Sequence, residues 1–437
     1  MKWTRSRTAS ALAVGTASAL LLSACTAGEG TETTAPTTDA GPKEDITLTL
    51  SDWSNFYTPE MLEQYQTDNP HVTIELNSGE FNAVHEALQQ QLIAGSGAAM
   101  VQAIDSGFMT GFIAQSENFV NLLDLGAGKY QDNYLSWKWA DGGTADGDYI
   151  IGVGSDVGGM ALCYRRDLFE AAGLPTDRED VDAAIGDTWE GFIALGEQYV
   201  AATNKPFVDN VGNIITPALT QLQVGWYNRN NELATDQAKP AFDIALAVIE
   251  AGLSANIGAW SPEWNTGFET GSFAVLACPS WMLGHITGQI SADTFAGQWD
   301  VADMPGPGGN WGGSYYTIPN QHSDYEIQEA WAFIEWVIQP EQQIAIMEAY
   351  GNLPSQSSLY DDPRVGARTN AFFNDAPVGS IFTKSANDIP GPVYYGPKHQ
   401  TVANAVGSVL GEVEAGNISI ADAWDAAVAA AEAADAA

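Results

Sequence analysis

Between residues 46 and 105 the chain alternates between two hydrophobic periods, and this restricts its fold more than any other feature. Ile46-Thr-Leu-Thr-Leu50 and Val72-Thr-Ile-Glu-Leu76 alternate apolar and polar residues, the period of a strand. Between them Thr58-Pro59-Glu60 reads as a helix N-cap followed by Pro in the first turn. That helix runs to about Asp68 and stops at Asn69-Pro70. A second helix is predicted from about Phe81 to Ala94, with Val84, Ala87, Leu88 and Leu92 on one side and Gly95 as its stop. A third apolar strand covers Met100 to Ile104. A strand–helix–strand repeat requires parallel strands with right-handed crossovers. The expected class is therefore α/β with an open sheet. Such sheets bind ligands beyond the carboxyl ends of their strands. Here those ends are Ser51 to Phe56, Asn77 to Glu80 and Asp105 to Phe108. Trp53 and Phe56 read as an exposed platform rather than core.

A second α/β pattern follows a crossover near 150–158. It begins with Ala161-Leu-Cys-Tyr164 and a helix from Arg166 to Ala172 stopped by Gly173. Asp187-Thr-Trp-Glu190 reads as an N-cap with its Glu three residues on. Helical patterns recur at about 214–224 and 239–251, and Phe273 to Ala277 reads as a buried strand. A breaker-rich stretch at 304–313 forms another crossover. Beyond it, Ala330, Phe333, Ile334, Val337 and Ile338 mark an amphipathic helix. Pro340 starts the next helix, which Leu353-Pro354 closes, and Asp422 to Ala437 reads as an Ala-rich surface helix. Two α/β lobes result, 45–155 with 309–345 and 156–308 with 346–437.

The N-terminus carries Lys2, Arg5 and Arg7, then a mostly apolar run from Ala9 to Leu22. This is the charge and length pattern of a secretory signal, assigned to residues 1–24. Leu22-Ser23-Ala24-Cys25 resembles the bacterial lipobox, which implies cleavage before Cys25 and lipidation of its sulfur. A plain signal peptide with a chance Cys is the other reading. Residues 25–44 are a polar Thr-, Gly- and Glu-containing tether that cannot bury a core. The expected location is the outer face of the cytoplasmic membrane. Cys163 and Cys278, both in apolar runs, are either a disulfide or two buried thiols.

Composition excludes several functions. The chain has 55 Asp+Glu against 16 Lys+Arg, a net charge of −39, which opposes nucleic-acid binding. Its five His are scattered, and no P-loop, dinucleotide fingerprint, zinc-protease helix or nucleophile elbow is present. No cofactor, metal or catalytic residue is expected. Fourteen Trp remain to be explained. An indole offers an apolar face and a polar edge, which suits the C–H faces of sugars beside acids and amides that meet their hydroxyls. Trp53 with Asp52 and Asn55, and Asn310-Trp-Gly-Gly-Ser314, have that composition. Trp189, Trp331, Trp336 and Trp424, inside helices, read as core.

Several segments together resemble family 1 extracellular solute-binding proteins of ABC importers. They are the lipobox and tether, Tyr164-Arg-Arg-Asp-Leu-Phe-Glu-Ala-Ala-Gly-Leu-Pro175, Phe268 to Trp281, and Ala330 to Pro354. The resemblance implies a two-lobed type II periplasmic-binding-protein-like fold with a hinge, binding without chemistry, importer membrane subunits as partners and a monomer. One departure is Ala98-Ala99-Met100, where the family often has Pro-Asp. Asn310 to Tyr315, Asp375 to Phe382 and Tyr394 to Pro397 are similar to segments of actinobacterial cellobiose- and xylobiose-type binding lipoproteins. This implies a β-linked gluco- or xylo-oligosaccharide ligand. It also implies ligand contact at Trp53, Asn55, Asp105, Trp281, Trp311, Gly313, Ser314 and Tyr395. Glu80, Asp156 and Trp226 join them on loop position. Competing readings are a ferric-iron binder using Tyr315-Tyr316 or Tyr394-Tyr395, a glycoside hydrolase, and a structural surface lipoprotein.

Overall fold

The structure is a computed structural model that describes residues 43–437. The signal segment, Cys25 and most of the tether lie outside the described residues. Among the described residues, no helix is long and apolar enough to cross a membrane.

Strands β1 (Ile46–Asp52) and β2 (Val72–Ser78) pair in parallel from Ile46↔Val72 to Asp52↔Ser78. Strand β3 (Val101–Asp105) lies parallel on the other side of β1. The intervening helices are Pro59–Asp68 and Phe81–Ala94. Thr58 caps the first through its hydroxyl, and Gly95 ends the second in the left-handed region. The strand–helix alternation predicted both helices and the start of β1 and β2, while these two strands run two residues further than expected.

What the alternation does not predict is how the sheet is completed. Strand β4 (Gly152–Gly154) does not pair with β3; β9 (Ser314–Thr317), from a distant part of the chain, inserts antiparallel between them. The order is β2-β1-β3-β9-β4. Strand β5 (Asp156–Val157) leaves this sheet and pairs with β10 (Leu353–Pro354). A second sheet, in the order β7-β6-β8, follows from β6 (Met160–Arg165), β7 (Val275–Pro279) and β8 (Trp299–Ala302).

The central strands of both sheets are buried on both faces, as strands covered by helices must be, while the edge strand β2 is exposed from Glu75 to Ser78. One face of the first sheet buries Leu48, Leu50, Ala103, Val153 and Tyr316 against Phe333, Ile334 and Val337. The other buries Ile104, Ile151 and Tyr315 with Leu88, Met109 and Phe112. In the second sheet, Leu162, Tyr164, Val275 and Ala277 pack on the helices around Phe192, Ile214 and Phe242. Ala161, Cys163, Leu276 and Val301 pack on Phe268, Met282 and Ile286. These are the cores of two lobes. Cys163 and Cys278 form a disulfide between β6 and β7, which resolves the alternative left open by their sequence.

Three local expectations are corrected. Phe56 is core, not platform: it is buried and packs edge-on against Tyr316. Thr188 rather than Asp187 caps the helix Trp189–Thr203, its hydroxyl accepting from Gly191 N; Asp187 sits at φ 59 and instead accepts from Gly306 N. Gly351, at φ 82, ends the helix Pro340–Tyr350, which frees Leu353-Pro354 to become β10.

Candidate functional site

The chain passes between the sheets at 154–160 and again at 309–314, with β10 laid against β5. Little space is available there. A Cβ on Gly158 would lie 1.8 Å from Trp311 O, so no side chain fits. Gly312 and Gly313 have φ values of 78 and 84, which favour glycine. Asn310 holds the passing segments together: its Oδ1 accepts from Gly158 N at 3.0 Å and its Nδ2 donates to Gly312 O at 2.9 Å.

Beside this junction stands a wall of three indoles. Trp281 follows β7 and precedes the helix Met282–Gln289. Trp260 lies nearly parallel to it, with ring centroids 5.9 Å apart and 18° between planes. Trp311 meets both edge-on, at 5.5 Å and 6.2 Å. The Trp281 indole nitrogen donates to Trp311 O at 3.3 Å. Trp260 is 53% exposed and has φ 68, a region bulky residues seldom enter. An exposed, backbone-strained Trp is a poor choice for stability and marks a surface held for contact. Beneath it, Trp264 is fully buried and donates its indole N–H to Asp209 Oδ2 at 2.7 Å. Burial pushes the Asp209 carboxyl up to about 7 despite the donors on that oxygen.

Across Gly312 lies Asp105, at the end of β3. Its Oδ1 accepts from Gly107 N at 2.8 Å and so caps the helix Ser106–Ile113. Its Oδ2 is 3.5 Å from where a Cβ would stand on Gly312, and Trp281 Nε1 is 4.0 Å from the same point. The carboxylate from the first sheet and the indole edge beyond the second thus flank one glycine. Burial pushes Asp105 up to about 6, opposed by the Gly107 hydrogen bond and by Lys138. His85 supports Asp105 from behind: Nδ1–H donates to Phe81 O, and Nε2 accepts from Asp105 N at 3.0 Å. This fixes a neutral ring, in keeping with burial lowering His85 to about 4.

The remaining expected contacts divide into groups. Trp53 is half-buried, packed on Phe56, Phe81 and His85 at 4.8 to 5.3 Å. Asn55 is exposed at φ 62 and its carbonyl accepts from Asn352 Nδ2. Glu80 is exposed and occupied in capping, its carboxylate accepting from Ala83 N at 3.0 Å. Asp156, Gly313 and Ser314 serve one another and the junction. Asp156 Oδ1 accepts from Ser314 N and from Ser155 Oγ, and Gly313 O accepts from both Ser106 N and Ser106 Oγ. Trp226 is corrected: it is 1% exposed, inside the second lobe's core, and presents no face to a ligand. Sequence reasoning did not select Trp260 as a contact, although it stands just before the Ser261-Pro262 helix start.

Tyr395 lies apart from the indole wall, 4.5 Å from the His399 ring and within hydrogen-bond reach of Asn310 and Thr220. It borders a cavity of about 910 Å³ lined also by Ser106, Thr110, Asp141, Arg229 and Tyr394. None of Trp53, Trp260, Trp281 and Trp311 lines that cavity. We place the candidate site at the indole wall because Trp260 exposes its ring there and the Trp281 indole edge meets Asp105 Oδ2 at Gly312. The tyrosine pairs do not make an iron site. Tyr315 and Tyr316 point to opposite faces of β9, and their hydroxyls donate to Lys138 O and Phe56 O. Tyr394 bonds Asn231 through its hydroxyl. Among the described residues no cluster of three His, Cys, Asp or Glu could hold a metal.

Residues 60–373 match the family model described as bacterial extracellular solute-binding protein. A crystal structure of an extracellular solute-binding protein family 1 member is 35% identical, with a TM-score of 0.82 over 89% of this chain and all of the other. The chain belongs to the bacterial extracellular solute-binding proteins. Two more distant structures share the fold of this solute-binding protein. One is an ABC-transporter-associated binding protein from B. animalis subsp. lactis Bl-04 in complex with β-1,6-galactobiose. It is 19% identical, with a TM-score of 0.72, over 88% of this chain and 96% of the other. The other is the galacto-N-biose-/lacto-N-biose I-binding protein of Bifidobacterium longum with lacto-N-biose. It is also 19% identical with a TM-score of 0.72, over 90% and 98%. The two-lobed periplasmic-binding-protein-like architecture is thus the family's own.

Proposed function

We propose that this solute-binding protein captures a neutral oligosaccharide between its lobes and delivers it to the membrane subunits of an ABC importer. The observation that carries this reading is the Trp260–Trp281–Trp311 cluster, whose Trp281 edge and Asp105 Oδ2 flank Gly312. Indole faces match sugar C–H faces, and the carboxylate accepts from hydroxyls. Neutral sugar also suits a strongly acidic chain, since no charge on the ligand needs balancing. The disaccharides held by the two bifidobacterial relatives support the ligand class. Within that class we favour a β-linked gluco- or xylo-oligosaccharide, on the resemblance of 310–315 and 394–397 to cellobiose- and xylobiose-type binders.

The lobes are assigned as 45–155 with 309–345 and 156–308 with 346–437. Contacts that both lobes make with the sugar favour a closed form. Two acyl chains on Cys25 anchor the protein outside the cell, and the body acts as a monomer. The test is Trp fluorescence and calorimetry of residues 45–437 with cellobiose, xylobiose, maltose and β-1,6-galactobiose, with the sugar recovered and sized afterwards. Saturable binding and intact sugar are expected. No response to any of the panel would sink the sugar assignment, and cleaved sugar would make the protein an enzyme. Intact mass of the membrane-extracted protein reads the Cys25 lipid.

A further inference from the structure

Lys138, on the short helix Ser136–Ala140, is the fully buried lysine of the described structure, with no exposed surface. Its position is central. Nζ is 3.2 Å from Ser106 Oγ and 3.7 Å above the centroid of the Tyr315 ring. It is also 3.2 Å from where a Cβ would stand on Gly313. Its Cε lies 3.1 Å from the corresponding point on Gly154, which Ser355 Oγ crowds from the other side at 2.6 Å. One side chain therefore lies against both crossing segments and the start of the helix that Asp105 caps. The charged groups around it are Asp105, Asp156 and Asp141, all within Coulombic range but none in ion-pair contact. A buried ammonium without a direct ion pair carries a desolvation cost that an apolar residue of the same length would avoid.

We propose that Lys138 is the positioning residue of the cleft: its ammonium holds Asp105 as an anion with Oδ2 turned toward Gly312, and through Ser106 it fixes the Gly312–Gly313 turn. The chain of contacts is explicit. Lys138 donates to Ser106 Oγ, Ser106 Oγ–H donates to Gly313 O, and Ser106 N donates to the same carbonyl. The inference rests on reading the indole wall and Asp105 as the ligand site, but its test needs no ligand. Burial draws Lys138 down to about 8 and pushes Asp105 up to about 6, and each group's charge favours the other's. Removal of the ammonium therefore drives Asp105 further up.

Carboxyl-13C aspartate labelling of residues 45–437 reads this directly, with the Asp105 resonance assigned by its loss in Asp105→Asn. In the wild type that resonance should titrate near 6, with a second, smaller inflection near 8 as the ammonium loses its proton. In Lys138→Met the main midpoint should rise by about one unit or more, and Lys138→Arg should restore it. A folded Lys138→Met with an unmoved midpoint would overturn the proposal, as would failure of Lys138→Arg to restore it. Should Lys138→Met not fold, the wild-type titration decides, because absence of the inflection near 8 is equally fatal. Loss of all sugar binding with these shifts intact would instead fail the ligand reading.

Discussion

The indole wall and the lobe junction lie side by side and are built on opposite terms. In the wall, Trp260 is exposed, backbone-strained and stacked only on other rings. In the junction, Gly158, Asn310, Asp156, Ser314 and Lys138 are buried and tied in by hydrogen bonds, to one another, to the backbone, or to the hydroxyls of Ser106 and Ser155. The wall keeps surface available at a cost in stability. The junction spends its hydrogen bonds on holding two sheets in register. Binding and folding should therefore separate by mutation more cleanly here than in a site where one residue does both.

The sharpest way to break the distinction is at the junction. Gly158→Ala puts a methyl group against the Trp311 carbonyl and should cost at least about 3 kcal/mol, read as a lower denaturation midpoint, with ligand affinity lost as well. Removing the disulfide as Cys163→Ala/Cys278→Ala frees a loop of 115 residues and should cost roughly 2–4 kcal/mol. Because the pair lies between β6 and β7, inside the lobe, sugar affinity at 25 °C should be nearly unchanged by calorimetry. A matching loss of affinity would show that lobe stability and binding are coupled.

The wall predicts the reverse. Trp281→Ala should weaken oligosaccharide binding by about 2 kcal/mol, roughly thirtyfold, with little change in melting temperature. Trp260→Gly relieves the left-handed backbone and should stabilise the protein by up to about 1 kcal/mol while weakening binding several-fold. A Trp260→Gly protein that is less stable would mean the stacked rings do more for the fold than their exposure implies. The smallest effect is on pH. Burial pushes Asp105 up to about 6, and with Oδ1 held by Gly107 N the ionised form leaves Oδ2 as an acceptor for a sugar hydroxyl. Affinity should therefore hold above about pH 7 and fall as pH drops through 6. Asp105→Asn should bind more weakly and lose that dependence.

The parallel unit β2-β1-β3 was legible because alternation and helix caps are local signals, carried by residues such as Thr58 and Gly95. The rest of that sheet was not. Strands β4 and β9 span Gly152–Gly154 and Ser314–Thr317, too short for a period to register, and their pairing is decided by tertiary contact. The site divides similarly. Asp105 was expected at a strand end, and it stands there. Trp226 and Trp260 both neighbour turn residues, yet one ring is buried and the other exposed. The sequence around a Trp says that the chain bends, not which way the ring swings. Lys138 escaped notice because a single Lys between two Trp in Ser136-Trp-Lys-Trp-Ala140 reads as a solvated helix face.

The insertion of β9 between β3 and β4 also determines the order in which an exported chain can assemble. Strand β4 has β9 as its sheet partner, and β9 follows β4 by some 160 residues of chain. The second sheet needs nothing beyond Ala302. A polypeptide emerging N-terminus first can therefore finish the second sheet before the first, although the first begins earlier. Until Ser314–Thr317 arrive, β3 has an unpaired edge that could template a wrong partner. The vulnerable period of this protein's biogenesis belongs to its N-terminal lobe.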